Sequence, residues 1–202
     1  MAKFHLLTFE TKYSRRKSNK KGEEAVILVD EERYLLAKCI VESVKKLGIK
    51  LLAGTVLPDH VHLVIADMGK DIQNIAKQIK GASAHEVNRR FKSSVQGSGY
   101  QQSLWAKGYN DSFLDDEDHL FNAIEYVNNN YLKHEERWGE IEVSKIQKVF
   151  EPILYDMDNF RWDDFEYEDM LGKQHGSFNE IKIPCRASVF KALVKEFDSF
   201  NS

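Results

Sequence analysis

Two spacings of apolar residues alternate along the first two thirds of the chain, one of period two and one of three to four. Residues 3–11, KFHLLTFET, hold Phe4, Leu6 and Phe9 among β-favouring neighbours and predict a strand. Past a polar stretch and the short apolar piece 25–29, Tyr34, Leu35, Ala37, Cys39, Ile40, Val41 and Val44 form a helical stripe. Asp30 is placed to cap its start, and Lys45, Lys46 and Gly48 supply the cationic last turn and the glycine that end a helix. Residues 50–57 and 60–66 predict two strands linked only by the turn-forming Pro58–Asp59 pair, so they should pair antiparallel. A second stripe, Ile72, Ile75, Ile79, Ala82 and Val87, predicts a helix from Asp71 that ends before Gly97 and Gly99. Residues 104–114, LWAKGYNDSFL, predict a strand bulged at Gly108. Acidic residues Asp115 to Asp118 then open a helix with Leu120, Ala123, Ile124 and Val127 on its core side.

The order strand, helix, strand hairpin, helix, strand, helix predicts an α+β fold: a ferredoxin/RRM-like sandwich with one antiparallel sheet and helices on one face. Residues 1–133 make up this domain. Residues 134–202 form an acidic, partly helical C-terminal extension, with the aromatic stretch YDMDNFRWDDFEYEDM at 155–170 and a last helix over 188–197. A chain of 202 residues, 42% hydrophobic, can fill such a core without disulfides. Cys39 and Cys185 are expected as free buried thiols. No run approaches the ~20 apolar residues of a membrane span, and no signal-like segment opens the chain, so a cytoplasmic, membrane-free protein is expected.

Charge changes this picture. The formal net charge of −3 hides a division: residues 1–109 carry 19 Lys and Arg against 11 Asp and Glu, whereas residues 110–202 carry 10 against 21. Six of the ten residues in KYSRRKSNKK, 12–21, are cationic, which suits a phosphate backbone and requires no base readout. Arg15 and Arg16 in that loop, with Lys80, Arg89 and Arg90 on the second helix, are candidate DNA contacts; a solvated basic surface is the plainer reading of the same residues.

The chemistry concentrates in PDHVHLVI, 58–65. In an extended strand His60 and His62 share a face, with Val61 between them on the other, so two imidazoles are held where one divalent cation can accept both. A pair of strand histidines with no ligand is the plainer alternative. Tyr126 and Asn130, four apart, are neighbours one turn apart on their helix; a half-buried structural tyrosine is the alternative there. Trp105 reads as core. His5, His85, His119, His134 and His175 have no partner at a ligand spacing and read as surface or structural.

Taken in order, FHLLTF, LPDHVHLVI, KQIKGASAHEVNRRF, LWAKGY and a helix with a tyrosine followed four residues later by an amide resemble the single-tyrosine HUH transposases. These include the insertion-sequence enzymes and the REP-associated tyrosine transposases, and the resemblance spans about residues 3–133. It implies that His60 and His62 ligate a divalent metal, Mg2+ or Mn2+, with Asn130 as third ligand and Tyr126 as nucleophile. It further implies cleavage and rejoining of single-stranded DNA with hairpin ends through a 5′-phosphotyrosine, by a homodimer in which the tyrosine helix can come from either subunit. The chain departs from the family at YVNNNY, 126–131: the REP-associated pattern has a proline after the asparagine, and Asn128 and Asn129 compete with Asn130 as the amide. A catalytically retired nucleic-acid-binding module on the same fold is the rival reading. A histidine-triad hydrolase is disfavoured because position 64 is Val64.

Overall fold

The computed structural model describes residues 2–14, 26–91, 103–134 and 143–161. Within them the chain runs β1 (Phe4–Glu10), α1 (Asp30–Leu47), β2 (Lys50–Val56), β3 (His60–Ala66), α2 (Ile72–Phe91), β4 (Asn110–Leu114) and α3 (Glu117–Asn129). Helix α3 passes into a 3-10 turn, Asn130–Lys133, and a short helix α4 (Ser144–Phe150) follows. The strands form one antiparallel sheet in the order β2-β3-β1-β4, so the α+β expectation holds. Arg15 and Arg16, Gly97 and Gly99, Cys185 and the helix expected over 188–197 lie outside the described residues.

Local chemistry sets the element ends close to where the sequence placed them. Gly48 adopts φ 63°, the left-handed conformation that a glycine reaches without a Cβ clash, and its N–H bonds the Lys45 carbonyl to close α1. Helix α1 begins at Asp30 itself; Val29 is the capping residue, and its N–H donates to the Glu32 carboxylate at 3.1 Å. The predicted strand 104–114 divides in two. Trp105 makes an isolated bridge to Thr11, Gly108 turns the chain at φ 77°, and regular pairing with β1 begins only at Asn110.

Period-two alternation sorts the sheet into two apolar layers. Leu7, Phe9, Leu51, Val61, Leu63 and Ile65 face α1, α2 and α4. Phe4, Val64, Ala66 and Leu114 face the other way, and against them α3 buries Leu120, Ala123 and Val127. The expectation of helices on one face is thus met by α1 and α2, while α3 crosses to the opposite face. Its narrow apolar stripe finds partners there because Phe4 of β1 and Val64 and Ala66 of β3 make that face apolar.

Beyond residue 133, the described stretch 143–161 packs on the same sheet. Phe150 of α4 is 1% exposed and lies against Gly54 of β2, where an added Cβ would come within 3.3 Å of its ring. The Tyr155 N–H donates to the Leu51 carbonyl at 2.8 Å, and Phe160 reaches Phe4 with ring centroids 6.2 Å apart. Among the described residues no helix is long and apolar enough to cross a membrane.

Candidate active site

His60 and His62 stand on the α3 face of β3, in line with Val64 and Ala66, both buried, with ring centroids 4.7 Å apart. They lie at the end of the sheet where that face turns from apolar to polar. The turn Leu57–His60 holds them: the Leu57 N–H donates to the His60 carbonyl at 2.8 Å, and the Thr11 N–H donates to the Asp59 carbonyl at 2.9 Å.

Each imidazole is oriented through Nδ1. His60 Nδ1 lies 2.6 Å from Asp59 Oδ1, with both side chains buried. His62 Nδ1 lies 2.8 Å from the hydroxyl of Thr8, its cross-strand partner on β1. A carboxylate or hydroxyl at Nδ1 favours the tautomer whose Nε2 can take a metal, an arrangement common to metal-binding histidines.

Helix α3 brings the remaining two residues across the sheet. Asn130, at its C-terminal end, is fully buried with Oδ1 3.3 Å from His60 Nε2. Two ligand atoms of one small divalent cation stand about 3 Å apart, so this pair fits a shared ion. The Asn130 Nδ2 is buried without a hydrogen-bond partner among the described residues. Asn128 and Asn129 are exposed. Tyr126, half-buried one turn earlier, meets the His62 ring edge to face at 5.3 Å. His60, His62, Tyr126 and Asn130 therefore adjoin within one chain.

Four further residues surround them. Asp59 and Thr8 orient the histidines, as described. From the turn after α3, Lys133 places its ammonium over the Tyr126 ring, 4.5 Å from the centroid, and His134 packs its ring against His60 at 4.8 Å. Lys133 and His134 follow Tyr126 by seven and eight residues, positions that continue its helical stripe, and this spacing was the available signal. His134 does not form with His60 and His62 a group of three ligand atoms within 4.8 Å of one another. Among the described residues the group of three His, Cys, Asp or Glu side chains whose ligand atoms lie within 4.8 Å of one another is Asp115, Asp116 and His119, exposed or partly exposed at the start of α3.

The basic candidates on α2 differ from one another. Lys80 turns inward, donating to the Ala106 carbonyl at 2.9 Å and to that of Gly108, and burial lowers its pKa. It anchors the segment before β4. Arg89 and Arg90 are exposed and share the Glu86 carboxylate, whose pKa their hydrogen bonds pull down to about 2. His5 lies on the other face of the sheet from the histidine pair, its Nδ1 2.9 Å from Asp111 and its Nε2 3.5 Å from Asp67, a structural tie between strand ends.

The model of the family described as "Transposase IS200 like" matches residues 3–130. The chain belongs to this transposase family. Membership places the transposase among enzymes of DNA transposition, which cleave DNA strands and transfer them. Solved structures similar to it include a REP-associated tyrosine transposase bound to a REP hairpin, 16% identical over 65% of this chain and 68% of that one, with a TM-score of 0.48. Another is a Deinococcus radiodurans protein named as a transposase, 25% identical over 64% of this chain and 91% of that one, with a TM-score of 0.46. No curated protein matches the transposase.

Proposed function

We propose that the protein cuts and rejoins single-stranded DNA with Tyr126 as nucleophile, and that His60, His62 and Asn130 hold a divalent metal, Mg2+ or Mn2+, beside it. The observation that carries this reading is the meeting of two elements whose residues His60 and Asn130 lie 70 apart in sequence. Strand β3 supplies two imidazoles oriented through Nδ1, and α3 supplies a tyrosine ring 5.3 Å from one and an amide oxygen 3.3 Å from the other.

Tyr126 Oη attacks the phosphorus in line with the bond to the 3′ oxygen. The bond from phosphorus to the tyrosine forms as the bond to the 3′ oxygen breaks, the phenolic proton passes to solvent, and the departing oxygen takes up a proton as a free 3′-hydroxyl. One phosphoester is exchanged for another, so a 3′-hydroxyl can later reverse the step and rejoin a strand. A phenol, with a pKa of about 10, leaves more readily than a sugar hydroxyl and keeps that reversal accessible. His60, His62 and Asn130 would hold the divalent ion, which when bound would supply positive charge for a nonbridging phosphoryl oxygen. Asp59 and Thr8 keep the imidazoles in register, and Asn130 holds its oxygen toward His60. Arg89 and Arg90, with Arg15 and Arg16 of the basic loop, contact the phosphate backbone of the DNA. DNA with hairpin ends is the substrate and a homodimer the working assembly, each chain contributing its own tyrosine.

Incubation with a single-stranded hairpin oligonucleotide and Mg2+ or Mn2+ should yield a covalent protein–DNA adduct on a denaturing gel, and Tyr126→Phe should abolish it while binding persists. An adduct that survives in Tyr126→Phe removes that residue from the role. Binding without any adduct in the unsubstituted protein points to a retired nucleic-acid-binding module.

A further inference from the structure

We propose that Lys133 is a further catalytic residue of this site, its ammonium receiving the nonbridging oxygens of the scissile phosphate at Tyr126. The inference rests on the reading of Tyr126 as nucleophile.

The 3-10 turn that ends α3 carries Lys133 one place before His134 and three after Asn130, so the helix stripe that holds Tyr126 continues through it. Lys133 turns back along that stripe. Its Nζ lies over the Tyr126 ring at 4.5 Å from the centroid, although the residue is exposed and water is open to its charge. An exposed lysine over an aromatic face gains little from that contact alone, because the ammonium gives up hydration to make it. The same geometry has a direct chemical use. A phosphate in position for attack by Tyr126 brings a negatively charged oxygen pair to the hydroxyl end of a ring whose face already carries a cation. As the oxygen–phosphorus bond forms, that cation stabilises charge on the phosphoryl oxygens without reorganising. The cation comes from the same short segment as the nucleophile and Asn130, so their spacing is set by local helix geometry and does not depend on a distant loop.

A positive charge fixed near the reacting phosphate is a different function from a lysine that packs on a tyrosine, and the two can be told apart. The rate of adduct formation should fall about a hundredfold in Lys133→Gln, in the range seen when one preorganised donor is removed, and recover to within about tenfold in Lys133→Arg. Binding of the oligonucleotide by Lys133→Gln in a Tyr126→Phe background should weaken no more than about threefold, because one phosphate contact among several is lost. The deciding arm replaces the scissile phosphate by an uncharged methylphosphonate: with no anionic oxygen to receive, the penalty of Lys133→Gln should shrink to less than about threefold. An unchanged rate in Lys133→Gln, or an equal penalty on phosphate and methylphosphonate, overturns the inference and leaves Tyr126 in place. Failure of the unsubstituted protein to form any adduct, or survival of the adduct in Tyr126→Phe, overturns the underlying reading and this inference with it.

Discussion

Asp59 and His60 are consecutive residues whose side chains face each other, Oδ1 to Nδ1 at 2.6 Å, with both side chains buried. Consecutive strand residues point to opposite faces, so this contact requires that Asp59 lie in the turn before β3, where Thr11 holds its carbonyl. A carboxylate behind a metal-binding imidazole sets the tautomer and raises the basicity of the coordinating nitrogen. Asp59→Ala should therefore weaken Mn2+ binding by about 10- to 100-fold with His60, His62 and Asn130 intact, since partners of this kind carry that much affinity. Isothermal titration of Mn2+ into the two proteins checks it. An unchanged dissociation constant would reduce Asp59 to a turn residue.

The three consecutive asparagines give a sharper contrast. Only Asn130 is buried against His60; Asn128 and Asn129 are exposed on the same helix. Asn130→Ala should lower Mn2+ affinity at least tenfold and slow adduct formation with it, while Asn128→Ala and Asn129→Ala stay within about twofold of the unsubstituted protein. Asn130→Asp should bind the ion as well or better, because a carboxylate oxygen replaces the amide oxygen. Equal behaviour of the three alanine variants would refute the placement.

These relationships differ in how far the sequence reveals them. The shared face of His60 and His62 follows from strand parity, and the neighbourhood of Tyr126 and Asn130 from helix spacing; both are local rules. Thr8 is not accessible in that way. It meets His62 only because β1 pairs β3 in one register, a relation across 54 residues that tertiary packing decides. Asp59 is legible as a turn residue, but the direction of a turn side chain depends on what holds the turn. Lys80 has the spacing of an outward lysine, yet its stem is long enough to carry the ammonium back to the Ala106 and Gly108 carbonyls. Lys133 and His134 lie on the Tyr126 stripe, but a helix that loosens into a 3-10 turn loses the clear period that would have included them. The side of the sheet that α3 takes is likewise set by which apolar face lacks a cover, and no spacing within α3 encodes it.

Arg89 and Arg90 bracket one carboxylate, so the cluster they make with Glu86 carries a net charge of one. If this end of α2 follows the DNA backbone, Glu86→Gln should tighten single-stranded DNA binding at low salt about threefold. It should also steepen the dependence of log affinity on log salt by about 0.7, one counterion equivalent on a single strand. Fluorescence anisotropy across a salt series measures both. Weaker binding, or an unchanged slope, would take α2 off the DNA path.

The start of α3 offers a test by pH. His119 Nδ1 bonds Asp115, and Asp116 lies 3.7 Å away; that hydrogen bond, then the charges of Asp116 and Asp115, raise the pKa of the imidazole above its ordinary value. The same bond lowers the Asp115 pKa. A raised histidine pKa stabilises the fold fully below the unfolded value of about 6.5, and this is lost as pH rises through the raised folded value. The depressed Asp115 stabilises above the unfolded value of about 3.9, and this is lost as pH falls through the lowered one. The pair is therefore intact between about pH 4 and 6.5, and both groups are open to solvent, so salt screens it. Asp116 accepts from the His119 N–H at 2.7 Å and caps the helix whatever the charge on the ring, so deprotonation should loosen the side-chain pair without unwinding α3. NMR titration should show the His119 ring changing charge at higher pH than an ordinary histidine, and Asp115→Asn should move that midpoint downward. A midpoint unmoved by Asp115→Asn would mean that the Asp115 carboxylate does not hold the ring in solution.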